Sequence, residues 1–163
     1  MQKVCSLPCA QSIAEKKRQK IAIAELRQKR EALKSRSQWV KEAQTAFNKY
    51  IRLRDHDQPC ISCGRYHNGQ YHAGHYLSTG ARPGLRFNEL NVHKQCAPCN
   101  NHLSGNAVLY RIALIGKIGL EAVEKLESDH EPRKYSVDDL KEIIRLYKEK
   151  TKALKAEIER RAA

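Results

Sequence analysis

Four cysteines in the middle of the chain have the spacing of a metal site. Cys60 and Cys63 form one Cys-x-x-Cys pair, and Cys96 and Cys99 form a second. Thiolates are soft ligands that suit Zn²⁺, and two such pairs without an export signal favour zinc over disulfides. Because four thiolates leave no open coordination position, we expect this zinc to be structural.

The segment around these cysteines is rich in residues that bind metals or form turns. Residues 57–106 contain 4 of the 6 cysteines, 5 of the 7 histidines and 6 of the 8 glycines. Neutral imidazole can accept a proton near pH 7, and amide oxygens are ligands for Mg²⁺. We therefore expect a loop-rich module that carries the chemistry of the chain.

Strands and helices must hold this module in place. Alternating residues at 71–76 and 90–93, with Gly-rich joints, predict a β-hairpin, and a helix is expected to begin near the second cysteine pair. Apolar residues at helical spacing over 38–53 predict a helix that packs on the module. The resulting fold is α+β and mostly helical, with long helices on both sides of a small hairpin-helix module.

The flanking segments have their own helix signals. Residues 10–34 are rich in good helix formers but have a weak apolar stripe, so we expect a solvated basic helix. Helices are also expected at 108–118 and 120–126, divided at Gly119. Ser136 and Asp139 have the spacing of a capping box at the start of a final helix.

The charge of the chain points to a polyanionic partner. There are 31 Lys and Arg against 18 Asp and Glu, a net charge of +13. The first 56 residues hold 14 of the basic and only 5 of the acidic residues. Such an excess favours a nucleic acid or an anionic membrane surface. The chain has no signal peptide and no apolar run near the roughly 18 residues of a membrane span, so we expect a cytoplasmic protein without a membrane partner.

The central segment resembles the HNH, or ββα-metal, nucleases. In zinc-braced members, a histidine lies near the end of the first strand, an asparagine lies five residues before the second cysteine pair, and a metal ligand follows that pair. His75, Asn91 and Asn100 stand at these places. The pattern is also similar to the T-even phage endonuclease VII family, which ends its second pair in Cys-x-x-Cys-Asn and cuts branched DNA.

Longer pieces are similar to the lambdoid phage NinG (Rap) recombination protein family. AGHYLSTG, LRFNELNVHKQCAPCN and LSGN look like the core of that family, and the likeness covers about residues 35–150. Its members carry a cysteine-rich knuckle before the first helix. This chain has only the second half of that knuckle, Cys5 and Cys9, so we expect a start that is truncated or taken from a downstream Met, without an intact second zinc site. A separate basic N-terminal part is expected at 1–37 and a nuclease domain at 38–163, with its zinc/ββα core at 57–106.

These resemblances imply roles for individual residues. His75 would be the general base, and the carbonyl oxygen of Asn91 would hold its imidazole in one tautomer. Asn100 would bind a catalytic Mg²⁺ or Mn²⁺. Many HNH motifs place a second ligand directly before the catalytic histidine, but Gly74 stands there, so His72 is the expected substitute and His93 the second choice.

Basic side chains near the expected centre are candidates for phosphate contacts. The candidates in the central segment are Arg82, Arg86 and Lys94. The candidates in the N-terminal helix are Lys16, Lys17, Arg18, Arg27 and Arg30. Contacts from that helix would be independent of sequence and sensitive to salt.

The resemblance implies a metal-dependent, structure-specific endonuclease that cuts Holliday junctions and D-loops in phage recombination, in the cytoplasm of the host cell. Two symmetric cuts at a four-way junction favour a homodimer. Two alternatives stay open: a zinc-dependent DNA-binding adaptor without catalysis, which Gly74 favours, and an HNH nuclease of ordinary duplex DNA.

Overall fold

The computed structural model describes residues 6–162. It is mostly helical, with one small sheet, as the sequence predicts. The helices are α1 (Leu7–Ala32), α2 (Arg36–Arg54), α3 (Ala107–Ile118), α4 (Leu120–Ser128) and α5 (Val137–Ala162), and the strands are β1 (Tyr71–His75) and β2 (Val92–Cys96). A 3-10 turn at Pro83–Leu85 and a π-helical turn at Pro98–His102 complete the regular structure of the described residues.

The chain divides into two units, with the boundary between Gln38 and Trp39. In the first unit, Ser6 caps α1 through a 3.4 Å hydrogen bond from the Cys9 amide to its Oγ. None of the described residues of α1 is buried. Ile23 and Leu26 are 66% and 59% exposed, which agrees with the expected solvated helix. Cys5 lies outside the described residues.

In the second unit, α2 and α5 pack against one face of the sheet. Ala43, Phe47 and Ile51 recur every four residues along α2 and are fully buried. The Phe47 ring lies edge-on to Tyr147 of α5, with centroids 4.8 Å apart. Val92 of the sheet belongs to the same apolar cluster. The helical periodicity of residues 38–53 therefore correctly predicted this core.

A second apolar cluster joins α3 and α4 to the end of the hairpin. Tyr110 and Leu114 of α3 pack against Val123 of α4 and Leu85 of the 3-10 turn. The Tyr110 hydroxyl donates a 2.9 Å hydrogen bond to the carbonyl of Gly74 in β1. This bond ties α3 to the strand that carries the candidate histidines.

The two strands are antiparallel and pair His75 with Val92, Ala73 with Lys94 and Tyr71 with Cys96. The second strand begins and ends later than the predicted 90–93, because its ladder continues to the first cysteine of the second pair. The helix expected at that pair is only the five-residue π-helical turn.

The last helix begins at the predicted capping box. The Ser136 amide donates to Asp139 Oδ2 at 2.8 Å, and the Asp139 amide donates back to Ser136 Oγ at 3.1 Å. Hydrogen bonds from the Ser136 amide and hydroxyl lower the pKa of Asp139. Across residues 6–162, the helices are all too short or too polar to cross a membrane.

Candidate functional site

The four central cysteines meet in one cluster, as the sequence predicts. Their sulfur atoms all lie within 4.8 Å of one another, and the Cys63 and Cys96 sulfurs are 4.0 Å apart. A tetrahedral Zn²⁺ with bonds of about 2.3 Å needs sulfurs about 3.8 Å apart. The cluster of Cys60, Cys63, Cys96 and Cys99, called the cysteine cluster below, therefore fits a structural zinc ion.

The surroundings of the cysteine cluster also favour bound metal. Burial raises the pKa of Cys60, but hydrogen bonds from backbone amides, among them that of Cys96 at 3.3 Å, outweigh burial and lower it. Burial and the neighbouring Cys60 thiol raise the pKa of Cys96 to about 12. Because buried thiolates repel one another, a divalent cation is the natural partner for all four.

A cleft of about 300 Å³ lies beside the hairpin, and three predicted site residues line it. His72 and His75 come from β1, and Asn100 comes from the π-helical turn next to the cysteine cluster. Arg86 lines it as well. We call this space the histidine cleft.

His75 is held in a defined state at the histidine cleft. Its Nε2 lies 3.0 Å from the carbonyl oxygen of Arg86. A carbonyl only accepts hydrogen bonds, so Nε2 carries the hydrogen, and Nδ1 of the neutral ring keeps a free lone pair. Burial lowers the pKa of His75, the carbonyl bond opposes this, and the charge of Arg86 lowers it further. The imidazole is therefore neutral near pH 7 and able to accept a proton at Nδ1.

His72 and Asn100 offer further donor atoms to the histidine cleft. The Nε2 atom of His72 is buried without a hydrogen-bond partner among the described residues. The side-chain Nδ2 of Asn100 donates to Asn101 Oδ1 at 2.7 Å, so Asn100 Oδ1 is free to act as an acceptor or a ligand. An imidazole nitrogen and an amide oxygen are donors that suit Mn²⁺ better than Mg²⁺. His72 and Asn100 are therefore the candidate ligands for a divalent ion, and His75 keeps its Nδ1 for a proton.

Asn91 does not make the hydrogen bond expected of it. It is fully buried, and its Oδ1 accepts from the Leu77 amide at 2.9 Å. Its Nδ2 donates to the carbonyls of Leu77 at 3.0 Å and Leu85 at 3.3 Å. The predicted hydrogen bond from Asn91 to the His75 imidazole is therefore wrong. The Asn91 side chain instead binds the backbone of the loop between the two strands.

We expect Asn91→Ala to lower the free energy of unfolding by about 3 kcal/mol, since it removes the partner of the Leu77 amide and of the carbonyls of Leu77 and Leu85. Urea unfolding of the zinc-loaded protein measures this loss. Asn88→Ala is the matched control, because Asn88 accepts one exposed hydrogen bond from the Leu90 amide; it is expected to lose less than about 1 kcal/mol. Normal stability of Asn91→Ala, with loss of function, would contradict this structural role of Asn91 in the loop.

Gly74 has a packing reason to lack a side chain. A Cβ atom there would lie 2.9 Å from the Cβ of Gln95, which is fully buried. Gln95 Nε2 donates at 2.6 Å to Ser62 Oγ and to the Gly105 carbonyl, so the Gln95 side chain cannot easily move away. A metal ligand therefore has no room at this position.

Two predicted residues of β2 lie away from the histidine cleft. His93 lines a different cavity, with Asp55 and Lys117, and burial and nearby cations lower its pKa to about 3. Lys94 is only 7% exposed, and its Nζ donates to the His56 carbonyl at 2.9 Å. Lys94 is therefore wrong as a DNA contact, and His93 is wrong as an alternative ligand at the histidine cleft.

The other basic candidates remain predictions. Arg82 is half-buried outside the histidine cleft and donates to the Ala81 carbonyl at 3.3 Å. In α1, Arg27 pairs with Glu31 at 3.6 Å. All five basic candidates of α1 are exposed: Lys16, Lys17, Arg18, Arg27 and Arg30.

One wall of the histidine cleft, contributed by α2, was not predicted from the sequence. Gln44, Asn48 and Arg52 of α2 line it together with the residues of β1. Polar residues at every fourth position of α2, beside its apolar stripe, could have indicated this wall. An ordinary solvated helix face has the same pattern, so the sequence alone did not distinguish the two.

Comparisons with known proteins agree on one family. The model of the family described as Bacteriophage Lambda NinG protein matches residues 1–157. The chain is 52% identical over 124 residues to Protein ninG of Escherichia phage lambda and of Salmonella phage P22, covering 76% of this chain and 61% of each relative. It is 53% identical over 112 residues to Protein ninG of Enterobacteria phage H19B, covering 69% of this chain and 56% of that relative.

The chain thus spans about three fifths of the length of the curated relatives it matches. No solved structure matches it. Because the family model covers nearly the whole sequence, the chain belongs to the lambdoid phage NinG family.

Proposed function

We propose that this chain is a metal-dependent DNA endonuclease of the HNH type. Its substrates would be branched recombination intermediates, Holliday junctions and D-loops, in the cytoplasm of the host cell. The observation that carries the proposal is the meeting of His72, His75 and Asn100 in one cleft beside Arg86. A neutral base, neutral metal donors and a cation in one water-accessible cleft are what phosphodiester hydrolysis requires.

In this mechanism His75 accepts a proton from the attacking water at Nδ1, while the Arg86 carbonyl holds Nε2–H. His72 and Asn100 would hold the divalent ion, Mg²⁺ or Mn²⁺. The ion, when bound, stabilises negative charge on the phosphate and the leaving 3′ oxygen. Asn91 has an indirect role, because its hydrogen bonds to Leu77 and Leu85 hold the segment between His75 and Arg86 in place.

The branched substrate is supported by family membership and not by the cleft itself. The chain is similar over 76% of its length to a phage ninG protein. Cutting a four-way junction on two strands needs two equivalent centres, so a C2 homodimer is part of the proposal. The exposed basic side chains of α1 would add affinity for DNA of any sequence.

A non-catalytic adaptor is the second candidate, and one observation favours it. Among the described residues, no Asp or Glu lines the histidine cleft. Most Mg²⁺ sites contain a carboxylate, so a cleft without one would suit a protein that only binds DNA.

The test compares a synthetic four-way junction with a linear duplex of the same sequence. The zinc-loaded protein is assayed in buffer freed of other divalent ions, and again with Mg²⁺ or Mn²⁺; a chelator is avoided because it would strip the cysteine cluster. We expect paired nicks near the branch point, faster with Mn²⁺, and little cutting of the duplex. Binding without nicks under every condition would favour the adaptor, and equal cutting of both substrates would remove the branched specificity.

A further inference from the structure

The α2 wall of the histidine cleft has no part in the proposed chemistry. Gln44, Asn48 and Arg52 are spaced four residues apart and therefore share one face of the helix. The neighbouring face, with Phe47 and Ile51, is buried in the core. The packing of α2 therefore fixes which way this polar stripe is presented.

A chain of hydrogen bonds connects this stripe to Arg86. Arg86 Nη1 donates to Gln44 Oε1 at 3.3 Å, and Gln44 Nε2 donates to Asn48 Oδ1 at 2.7 Å. With Oδ1 occupied as an acceptor, Asn48 keeps its amino group as a donor. The stripe thus positions the Arg86 guanidinium at the histidine cleft and adds a neutral donor beside it.

The two arginines of the histidine cleft differ from several others in the same unit, which are paired with carboxylates. Arg54 pairs with Asp55, Arg111 with Glu127, and Arg145 with Glu142. Arg86 bonds only a neutral amide through its side chain, and Arg52 forms no hydrogen bond or ion pair with another described residue. Two guanidinium groups without carboxylate partners in one cleft attract an anion.

We propose that Arg52 and Arg86 form a phosphate-binding wall of the histidine cleft, and that Gln44 and Asn48 are its positioning residues. The ligand is a phosphodiester of DNA, because the planar fork of a guanidinium matches two phosphate oxygens. The wall binds phosphate without a divalent ion. The inference deepens the proposed function and rests on it only in taking branched DNA as the substrate.

The test is the salt dependence of junction binding, which counts phosphate contacts. Fluorescence anisotropy gives the affinity of zinc-loaded protein for a labelled four-way junction over a series of KCl concentrations, with other divalent ions removed. We expect Arg52→Gln to weaken binding about tenfold per bound protomer at low salt and to reduce the slope of log affinity against log salt by about 0.9 per protomer, which is about 1.8 for the proposed homodimer on one junction.

Lys49→Gln is the matched control, because Lys49 is an exposed cation of α2 that lines a different depression with Lys148. Its slope should equal that of the wild type. Gln44→Glu places a carboxylate beside Arg86 with little change of shape, so it should also reduce the slope by about one per bound protomer while leaving the circular dichroism spectrum unchanged.

Equal slopes for Arg52→Gln, Gln44→Glu and the wild type would overturn the phosphate-binding wall. These measurements involve no cleavage, so they are independent of the nuclease proposal. If the protein never cuts DNA but the two variants lose slope, the wall stands and only the proposed catalysis fails.

Discussion

Replacing Cys99 with serine is expected to release the bound zinc and to lower the free energy of unfolding by at least about 5 kcal/mol, because metal binding in small zinc modules supplies folding energy directly. Zinc content per chain, measured by elemental analysis, should fall from one to near zero. Thermal unfolding followed by circular dichroism should show the loss of the main transition.

The size of this effect follows from what the cysteine cluster joins. Cys60 and Cys63 lie in the irregular segment between α2 and β1, Cys96 ends β2, and Cys99 lies in the π-helical turn. Two five-residue strands alone make a marginal sheet. A metal ion in the cysteine cluster would therefore fix a part of the molecule that its short ladder cannot hold. The turn that presents Asn100 would depend on the same ion.

Cys9→Ser is the matched control, since Cys9 lies in the first turn of α1 and far along the chain from the cysteine cluster. We expect it to leave zinc content and unfolding unchanged. Zinc content above one in the wild type, reduced by this substitution, would mean that the Cys5 and Cys9 segment holds metal. Full stability of Cys99→Ser without zinc would contradict a structural role for the metal.

The local signals of the sequence were sufficient for most helices. Apolar residues at four-residue spacing, such as Ala43 and Phe47, predicted the buried face of α2. Gly119, with φ of 86°, divides α3 from α4, since a residue with a side chain rarely adopts that conformation. The cysteine spacing predicted the metal cluster because ligand chemistry and spacing are both visible in the sequence.

Long-range contacts explain what the sequence did not reveal. All five residues of β2 are buried, so its exposed and buried faces do not alternate. Lys94 is accommodated there because its ammonium group lies over the Tyr71 ring, 4.4 Å from the ring centroid, and donates to a carbonyl 38 residues away. Asn91 was expected to bond the His75 imidazole, but its partners, Leu77 and Leu85, lie in the loop between the two strands. A contact with such distant partners leaves no periodic trace in the sequence.

His75→Ala is expected to reduce junction cleavage about 10³-fold, the usual contribution of a general base. Junction affinity should stay within about twofold of the wild type, since the substitution removes no cation. The measurement is single-turnover cleavage at saturating protein, with affinity from anisotropy in buffer without Mg²⁺ or Mn²⁺. His56→Ala, which removes an exposed imidazole from the turn just after α2, is the matched control and should cut normally.

The pH profile separates a base from a residue that only supports the fold. A base works when neutral, so the cleavage rate should be constant above the pKa of His75 and fall as pH drops below it. Because burial lowers that pKa, the fall should begin below the ordinary value of about 6.5. A structural histidine would give no such titration in the rate of a folded protein.

Arg86→Gln provides a second test of His75 as the general base. The charge of Arg86 lowers the pKa of His75, whereas the carbonyl that holds Nε2 belongs to the backbone and survives the substitution. Removing the charge should therefore move the acid limb of the rate profile to higher pH, while weaker phosphate binding lowers the rate at every pH. If the acid limb moves to lower pH instead, the titrating group is not His75, and the base of the reaction has to be sought elsewhere in the cleft.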